Sequence, residues 1–186
     1  GDNAFYLCAS LDSITIPASV TSIGISAFSG CTSTTSVTFQ GTSVTSIGDN
    51  AFYLCTDLAS ITIPASVTSI GISAFSQCTS STSVTFKGTG VTFIESYAFY
   101  GCTSLDSVII PTSVTSIESY AFAGCTSLGT VTIPAGVTSI GDNAFYLCAS
   151  LDSITIPASV TSIGISAFSG CTSTTSVTFQ GTSVTS

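Results

Sequence analysis

The sequence contains no histidine, methionine or tryptophan, and Lys87 is its only basic residue. Charged residues make up 5% of the 186 residues, against about 25% in a typical soluble domain, and the net charge is −8. Binding to nucleic acid or to an anionic membrane surface needs many Lys and Arg side chains, so both are excluded. Catalysis by a histidine base and zinc binding by histidine are excluded because the residue is missing.

Long hydrophobic runs are also missing, although the mean hydropathy is high at +0.67. No apolar stretch approaches the ~18 residues that a membrane-spanning helix needs, so we predict no membrane insertion in this segment. The apolar residues recur instead at a fixed interval. The dipeptide Ala-Phe occurs eight times, 23 or 24 residues apart, and a Cys follows each Phe by three positions. The dipeptides begin at Ala4, Ala27, Ala51, Ala74, Ala98, Ala121, Ala144 and Ala167.

A longer repeat is made up of several of these short repeats. Residues 1–46 and 141–186 are identical, so six short repeats form a superperiod of 140 residues. Folding tolerates much drift at surface positions and does not explain such identity. Recent tandem duplication of the gene explains it, as would a consensus sequence for a repetitive protein. We therefore expect residues 1–186 to be one continuous solenoid domain and a window on a longer array.

Each repeat has the pattern of one turn of a solenoid. Residues 13–16 alternate Ser or Thr with Ile, which predicts a strand that ends at Pro17. Val20 and Ile23 are predicted to point inward again. Residues 26–31 are too short for an independent helix, so we expect a 3₁₀ or helical turn there. A single coil cannot bury its apolar face alone, whereas stacked coils can.

The pattern Leu-x-x-Val-x-Ile-Pro-x-x-Val-x-x-Ile-x-x-x-Ala-Phe-x-x-Cys resembles the leucine-rich repeats of the BspA-like type, across all eight repeats. The resemblance implies a solenoid of eight coils, with a parallel β-strand ladder on one face and short, 3₁₀ or helical turns on the other. It also implies an extracellular or cell-surface protein with roles in adhesion and partner binding. The family has no shared catalytic motif, so we expect no enzymatic activity and no cofactor.

Three repeats depart from the pattern. They lack the Pro, contain one extra residue, and have Thr or Ser where the others have Leu and Phe where the others have Ile. The substituted positions are Thr34, Ser81 and Thr174, then Phe39, Phe86 and Phe179; the added turns contain Gln40-Gly41, Lys87-Gly88 and Gln180-Gly181. We interpret the exchange as conservation of core volume. The extra residue is expected to form a bulge in which Gly permits unusual backbone angles.

The eight cysteines occur once per coil. Strands in neighbouring coils lie about 4.8 Å apart, which is within the Cα range of a disulfide. One Cys per coil at this position of a leucine-rich repeat is more typical of a buried, free thiol. We expect free buried thiols, and no metal site, because single cysteines 23 residues apart lack ligand spacing.

Three acidic residues fall near one column on successive coils: Glu95, Glu118 and Asp142. Stacked carboxylates repel one another unless a cation or protonation relieves them. A solvated acidic column is the main interpretation, with a weak cation site as the alternative. Paired carboxylates are also used by glycosidases, but nothing else in the sequence indicates a substrate cleft.

Threonine recurs once per coil in two columns. The first contains Thr21, Thr45, Thr68, Thr92, Thr115, Thr138, Thr161 and Thr185. The second, on the predicted strand face, contains Thr15, Thr38, Thr62, Thr85, Thr132, Thr155 and Thr178, and Ile109 interrupts it. The plainest interpretation is β-propensity together with solubility without charge. Two functional interpretations stay open: hydroxyls that carry O-linked sugar or face a ligand, and threonine rows that bind ice.

Several apolar residues occupy positions that are polar or small in other coils. They are Phe93, Tyr97, Tyr120, Ile25, Ile72, Ile165, Tyr6, Leu7, Tyr53, Leu54, Tyr146 and Leu147. Scattered exposed apolar groups are normal, but here they recur along an axis. A recurring apolar stripe marks an association surface, so we treat these residues as candidates for one.

The sequence favours a structural protein that forms an extracellular fibre, stalk or surface layer by self-association, end to end and laterally. The alternative is an adhesin or binding module whose strand face binds a host or matrix ligand, such as a glycan or another host-surface ligand. Binding surfaces carry irregular aromatic and charged anchors, whereas this face is nearly uniform Ser and Thr. Ice binding is a minor alternative.

Overall fold

The computed structural model describes residues 1–181. These residues form short strands connected by turns and irregular segments. The odd-numbered strands are β1 (Ser13–Ile16), β3 (Ser36–Phe39), β5 (Ile61–Ile63), β7 (Ser83–Phe86), β9 (Ser107–Ile109), β11 (Thr130–Thr132), β13 (Ser153–Ile156) and β15 (Ser176–Phe179). The even-numbered strands are β2 (Ser22–Ile23), β4 (Ser46–Ile47), β6 (Ser69–Ile70), β8 (Phe93–Ile94), β10 (Ser116–Ile117), β12 (Ser139–Ile140) and β14 (Ser162–Ile163).

The strands form two parallel ladders around one solenoid. The odd-numbered strands pair in groups of two, four and two, and the even-numbered strands pair in groups of three and four. Pairing is in register with the repeat, so Thr15 lies opposite Thr38 and Phe93 lies opposite Ser116. Eight odd-numbered strands are separated by seven complete turns. The expected solenoid and strand ladder are therefore confirmed, and a second ladder of two-residue strands accompanies it.

The segment after each even-numbered strand contains no helix in residues 1–181, which corrects the expected helical turn. Its amides alternate between two kinds of acceptor. The Ala27 N–H donates to the Gly24 carbonyl within the coil, at 3.3 Å between N and O. The Phe28 N–H donates to the Ala51 carbonyl of the next coil, at 2.8 Å. Because every second amide bonds along the solenoid axis, continuous i to i+3 bonding does not develop.

This alternation requires left-handed backbone at two positions in every coil. The first is occupied by Asn3, Ser26, Asn50, Ser73, Tyr97, Tyr120, Asn143 and Ser166. The second, four residues later, is occupied by Leu7, Gly30, Leu54, Gln77, Gly101, Gly124, Leu147 and Gly170. Asn and Gly adopt this region most readily, which accounts for seven of the sixteen residues but not for the Ser, Tyr, Leu and Gln residues.

A continuous stack of phenylalanine rings runs along the solenoid interior. The rings belong to Phe5, Phe28, Phe52, Phe75, Phe99, Phe122, Phe145 and Phe168. Successive centroids lie 5.1–5.8 Å apart, with interplanar angles of 3–10°. Ile23 is buried beside the stack, as expected, while Val20 is only half-buried. Each ring packs between its neighbours, so adding a coil repeats the same contact.

The three repeats without Pro do more than conserve volume. Thr34 is fully buried and its hydroxyl donates to the Leu11 carbonyl of the preceding coil, at 2.7 Å. Ser81 and Thr174 make the equivalent bonds to Leu58 and Leu151. A side-chain hydrogen bond therefore takes the place of the leucine contact in these coils; Thr34 and Ser81 are buried and Thr174 is half-buried. Phe39 and Phe86 lie half-buried against the core, as volume compensation predicts, whereas Phe179 is 52% exposed.

The glycines of the added turns are needed for space. Gly41 and Gly88 do not have positive φ angles, so the expectation of unusual backbone angles is wrong. A Cβ added at Gly41 lies 2.7 Å from the Cα of Ala18 in the preceding coil, and Gly88 stands in the same relation to Ala65. Glycine allows the two backbones to approach.

Candidate functional site

All eight cysteines are free thiols, as expected. From Cys31 onward each Sγ donates to the carbonyl of the Phe one coil earlier, at 3.2–3.3 Å. Six are buried; Cys171 is half-buried and Cys8 is exposed, so the expectation of burial is wrong for Cys8. Burial raises the pKa of the Cys55, Cys102 and Cys148 thiols to about 12. These thiols are protonated and inert at neutral pH.

Glu95, Glu118 and Asp142 occupy two neighbouring positions of the coil. Asp142 lies one position further along its coil than Glu95 and Glu118, and its Oδ1 accepts the Ile165 N–H at 2.7 Å. Asp142 therefore lies beside the column of Glu95 and Glu118 and not within it. Desolvation raises the pKa of Glu95, and the charges of Glu118 and Asp49 raise it further. Among the described residues, no group of three His, Cys, Asp or Glu side chains is placed to hold a metal ion.

The first threonine column is exposed, and its hydroxyls form hydrogen bonds between neighbouring coils. The hydroxyls of Thr45, Thr68, Thr115, Thr138 and Thr161 each donate to the carbonyl of the column's threonine one coil earlier, at 3.2–3.3 Å. Thr185 lies outside the described residues. These hydroxyls reinforce contact between coils, which reduces their availability to an outside ligand.

The second threonine column faces solvent. Thr15, Thr38, Thr62, Thr85, Thr132, Thr155 and Thr178 are all exposed. Their hydroxyls have no hydrogen-bond partner within residues 1–181. Ile109, which interrupts the column, is 77% exposed. The strand face therefore presents an uncharged row of free hydroxyls with one apolar gap.

The Tyr-Leu pairs cover small residues of neighbouring coils. In one column tyrosines alternate with small residues, since Ser29, Ser76 and Ala123 separate Tyr6, Tyr53, Tyr100 and Tyr146. Ser29 and Ser76 are only 4% and 3% exposed. In the next column a Cβ added at Gly30 lies 2.5 Å from Leu7 Cδ2, and Gly170 stands in the same relation to Leu147. Tyr53, Leu54 and Tyr146 are half-buried in this packing. The pairs therefore contribute to cohesion of the solenoid.

The exposed isoleucines do not form a continuous stripe. Ile25, Ile72 and Ile165 are 48%, 47% and 77% exposed. Along the axis they alternate with Asp or Ser, and the Asp2, Asp49 and Asp142 carboxylates each accept the backbone N–H of the next isoleucine, at 2.7–2.8 Å. Polar residues thus separate the apolar ones.

One surface on two adjacent coils departs from the regular pattern. Phe93, Glu95 and Tyr97 occupy alternate positions on one coil, and Glu118 and Tyr120 follow Ser116 on the next. The Tyr97 and Tyr120 rings stack at 4.8 Å with an interplanar angle of 4°, and Tyr100 packs edge-on against Tyr97 at 5.7 Å. We call Phe93, Glu95, Tyr97, Tyr100, Glu118 and Tyr120 the aromatic–acidic surface.

This solenoid, with its Ala-Phe-x-x-Cys core and short parallel strands, defines a leucine-rich repeat protein. The family described as "BspA type Leucine rich repeat region", with six copies, matches residues 1–103 and 92–186. The chain therefore belongs to the BspA-type leucine-rich repeat family.

Solved structures of bacterial leucine-rich repeat proteins share the fold. A protein from Bacteroides ovatus is 36% identical with a TM-score of 0.89, over 99% of this chain and 47% of that one. One from Eubacterium ventriosum is 32% identical with a TM-score of 0.79, over 86% and 43%. One from T. pallidum is 30% identical with a TM-score of 0.73, over 93% and 69%.

The chain spans a little under half the length of the Bacteroides and Eubacterium proteins. A comparison with curated protein sequences gives no significant match. Within residues 1–181 there is no helix of the length and hydrophobicity needed to cross a membrane.

Proposed function

We propose that the chain is a segment of an extracellular or cell-surface rod, and that its function is structural rather than enzymatic. The observation that carries the proposal is the repetition of the same contacts at successive coils. The phenylalanine stack, the thiol-to-carbonyl bonds and the first threonine column all join neighbouring coils. Stability in such a solenoid is a sum of nearest-neighbour terms, so the rod extends by adding coils.

Two features suit an extracellular setting: the burial of most thiols and the exposed hydroxyls of the strand face. Free thiols are uncommon outside the cell, where disulfides form readily. Here six of the eight thiols are buried, and burial raises the pKa of those of Cys55, Cys102 and Cys148 to about 12, which protects them from oxidation. The exposed hydroxyls of the strand face are free to carry O-linked sugar, which would solubilise a surface with one Lys and nine acidic residues.

Electron microscopy of the native material tests the rod. Strands about 4.8 Å apart give a superperiod near 29 Å for six coils. We expect filaments or layers with both spacings, joined end to end and in contact laterally. Isolated globular particles, or an axial repeat unrelated to six coils, would contradict the proposal.

Adhesion is the second candidate, and the aromatic–acidic surface favours it. Binding energy at protein interfaces concentrates in a few aromatic and charged residues. Phe93 and Tyr97 are 48% and 37% exposed, at positions where most other coils carry Ser, and Asn or Ser, respectively. A rod that carries such a surface at intervals would present it to a partner many times.

A further inference from the structure

The aromatic–acidic surface includes three positions of the coil at which the other coils carry small, uncharged residues. The first position is Ser, the second is Gly, and the third is Asn or Ser in the other coils; Ser46, Gly48 and Asn50 are one example. The two exceptional coils read Phe93-x-Glu95-x-Tyr97 and Ser116-x-Glu118-x-Tyr120. Five of the six residues of the surface therefore lie at positions where the rest of the solenoid is small and uncharged.

These substitutions are costly for folding. Tyr97 and Tyr120 both have φ of 59°, where other coils place Asn or Ser. Left-handed backbone costs a bulky residue about 1–2 kcal/mol, and such strain concentrates at functional sites. Glu95 and Glu118 replace glycines that, elsewhere, bring neighbouring backbones so close that an added Cβ lies less than 3.0 Å away.

The two carboxylates lack a cation. Neither Glu95 nor Glu118 forms an ion pair in the part of the chain that the structure describes, and Lys87 is the only basic residue. Glu118 accepts a hydrogen bond from the Ser116 hydroxyl at 2.6 Å, whereas the Glu95 carboxylate accepts none. Glu118 and Asp49 act on Glu95 as like charges. A positive group bound here relieves that repulsion.

A groove beside Phe93 provides the space. It has a volume of about 240 Å³ and is lined by Thr68, Ser69, Ile70, Thr92, Phe93 and Glu95. The lining therefore includes one aromatic side chain, one carboxylate side chain and three hydroxyl side chains. A Lys or Arg side chain matches this arrangement, because its aliphatic stem packs on apolar surface while its charged head needs a carboxylate or a ring face.

We propose that the aromatic–acidic surface binds an extended basic segment of a partner polypeptide, with one Lys or Arg side chain in the Phe93–Glu95 groove and a second beside Glu118 and Tyr120. The net charge of −8 assists the approach of such a segment. The proposal rests on the adhesion candidate, whose partner chemistry it names, and is independent of whether the chain forms a rod.

The test measures binding of fluorescein-labelled hexalysine and hexaarginine to the full chain by fluorescence anisotropy. The Glu95→Gln/Glu118→Gln variant is compared with Asp57→Asn/Asp106→Asn, which changes the net charge equally at two exposed residues elsewhere. We expect the first variant to weaken binding about tenfold and the second less than about twofold. Equal weakening would show that only overall charge matters and would overturn the proposal.

A second pair of variants separates binding from folding. Phe93→Ser and Tyr120→Asn each restore the residue that other coils carry, so both are expected to fold with unchanged circular dichroism. Each should weaken peptide binding about three- to tenfold. Unchanged affinity in both variants overturns the proposal. Binding of labelled cellohexaose in place of either peptide assigns the surface to a glycan and overturns it equally.

Discussion

Gly71 lies against the backbone of Asp49 in the preceding coil, so closely that an added Cβ would lie 2.5 Å from the Asp49 nitrogen. The Asp49 carboxylate in turn accepts the Ile72 N–H at 2.8 Å. Adjacent coils are therefore held together here by backbone contact and a side-chain hydrogen bond at once. The same pairing recurs between Asp142 and Gly164.

Gly71→Ala should destabilise the solenoid by about 1–3 kcal/mol, because the new methyl group forces two backbones apart. Gly129→Ala is the matched control. Gly129 also lacks a positive φ, but the nearest atom to its added Cβ is 3.9 Å away. Urea unfolding of the control should change by less than about 0.5 kcal/mol. Equal effects of the two substitutions would show that close approach of the coils is not the cause.

Thr34→Val tests the buried hydroxyl. Valine keeps the shape but leaves the Leu11 carbonyl without its donor, so we expect a loss of about 1–3 kcal/mol. Thr38→Val removes an exposed hydroxyl that has no partner within residues 1–181, and should change stability little. Comparison of the two denaturation midpoints checks the expectation; a stable Thr34→Val variant would contradict it.

Thiol labelling tests the arrangement of the cysteines. In the folded chain a disulfide reagent should modify Cys8 quickly and Cys171 more slowly, because they are exposed and half-buried. The six buried thiols should react only after denaturation, when all eight become accessible. Mass spectrometry after labelling identifies the sites. Rapid native labelling of Cys102 or Cys125 would refute the buried ladder.

Alkaline pH should destabilise the fold. The pKa of the Cys55, Cys102 and Cys148 thiols rises on folding from 9.0 to about 12, so between these values the unfolded chain loses protons that the folded chain keeps. The stabilisation is fully present below pH 9.0 and is lost as pH rises toward 12. Each buried thiol contributes a slope of up to about 1.4 kcal/mol per pH unit.

Cys102→Ala isolates one thiol in this pH dependence. The variant should lose less stability than the wild type between about pH 8 and about pH 10.5, even though it starts from a lower value. Urea unfolding at both pH values gives the difference. Identical losses in the two proteins would show that the buried thiol does not govern the alkaline response.

The solenoid is readable from the sequence because its core positions repeat. Alternation in residues 13–16 indicates β1, and the fixed Ala-Phe-x-x-Cys spacing places the phenylalanine and cysteine columns. The sequence does not indicate the second ladder, because its strands have only two residues and two residues give no period. At the left-handed positions, residues such as Asn3 and Gly30 indicate a positive φ from the sequence. Tyr97 and Leu54 occupy equivalent positions but give no such indication.

The candidate surfaces are less predictable from the sequence than the solenoid, because they depend on three-dimensional contacts between coils. Sequence position marks Tyr6 and Leu7 as outward, but not that such pairs pack over the small residues of the next coil. The two threonine columns are equivalent in sequence and differ in the structure, because only the first lies within reach of the neighbouring carbonyl. Phe93, Tyr97 and Tyr120 are identifiable as exceptions to the repeat, whereas the groove between Phe93 and Glu95 is not.

Small-angle X-ray scattering of a length series tests the central claim that each coil adds the same contacts and the same rise. One, two and three copies of residues 1–140 are joined in front of the full chain, which reproduces the natural sequence at every junction because residues 1–46 and 141–186 are identical. We predict a constant cross-section and a maximum dimension that grows by about 29 Å per copy. A dimension that grows more slowly while the cross-section widens would contradict the account.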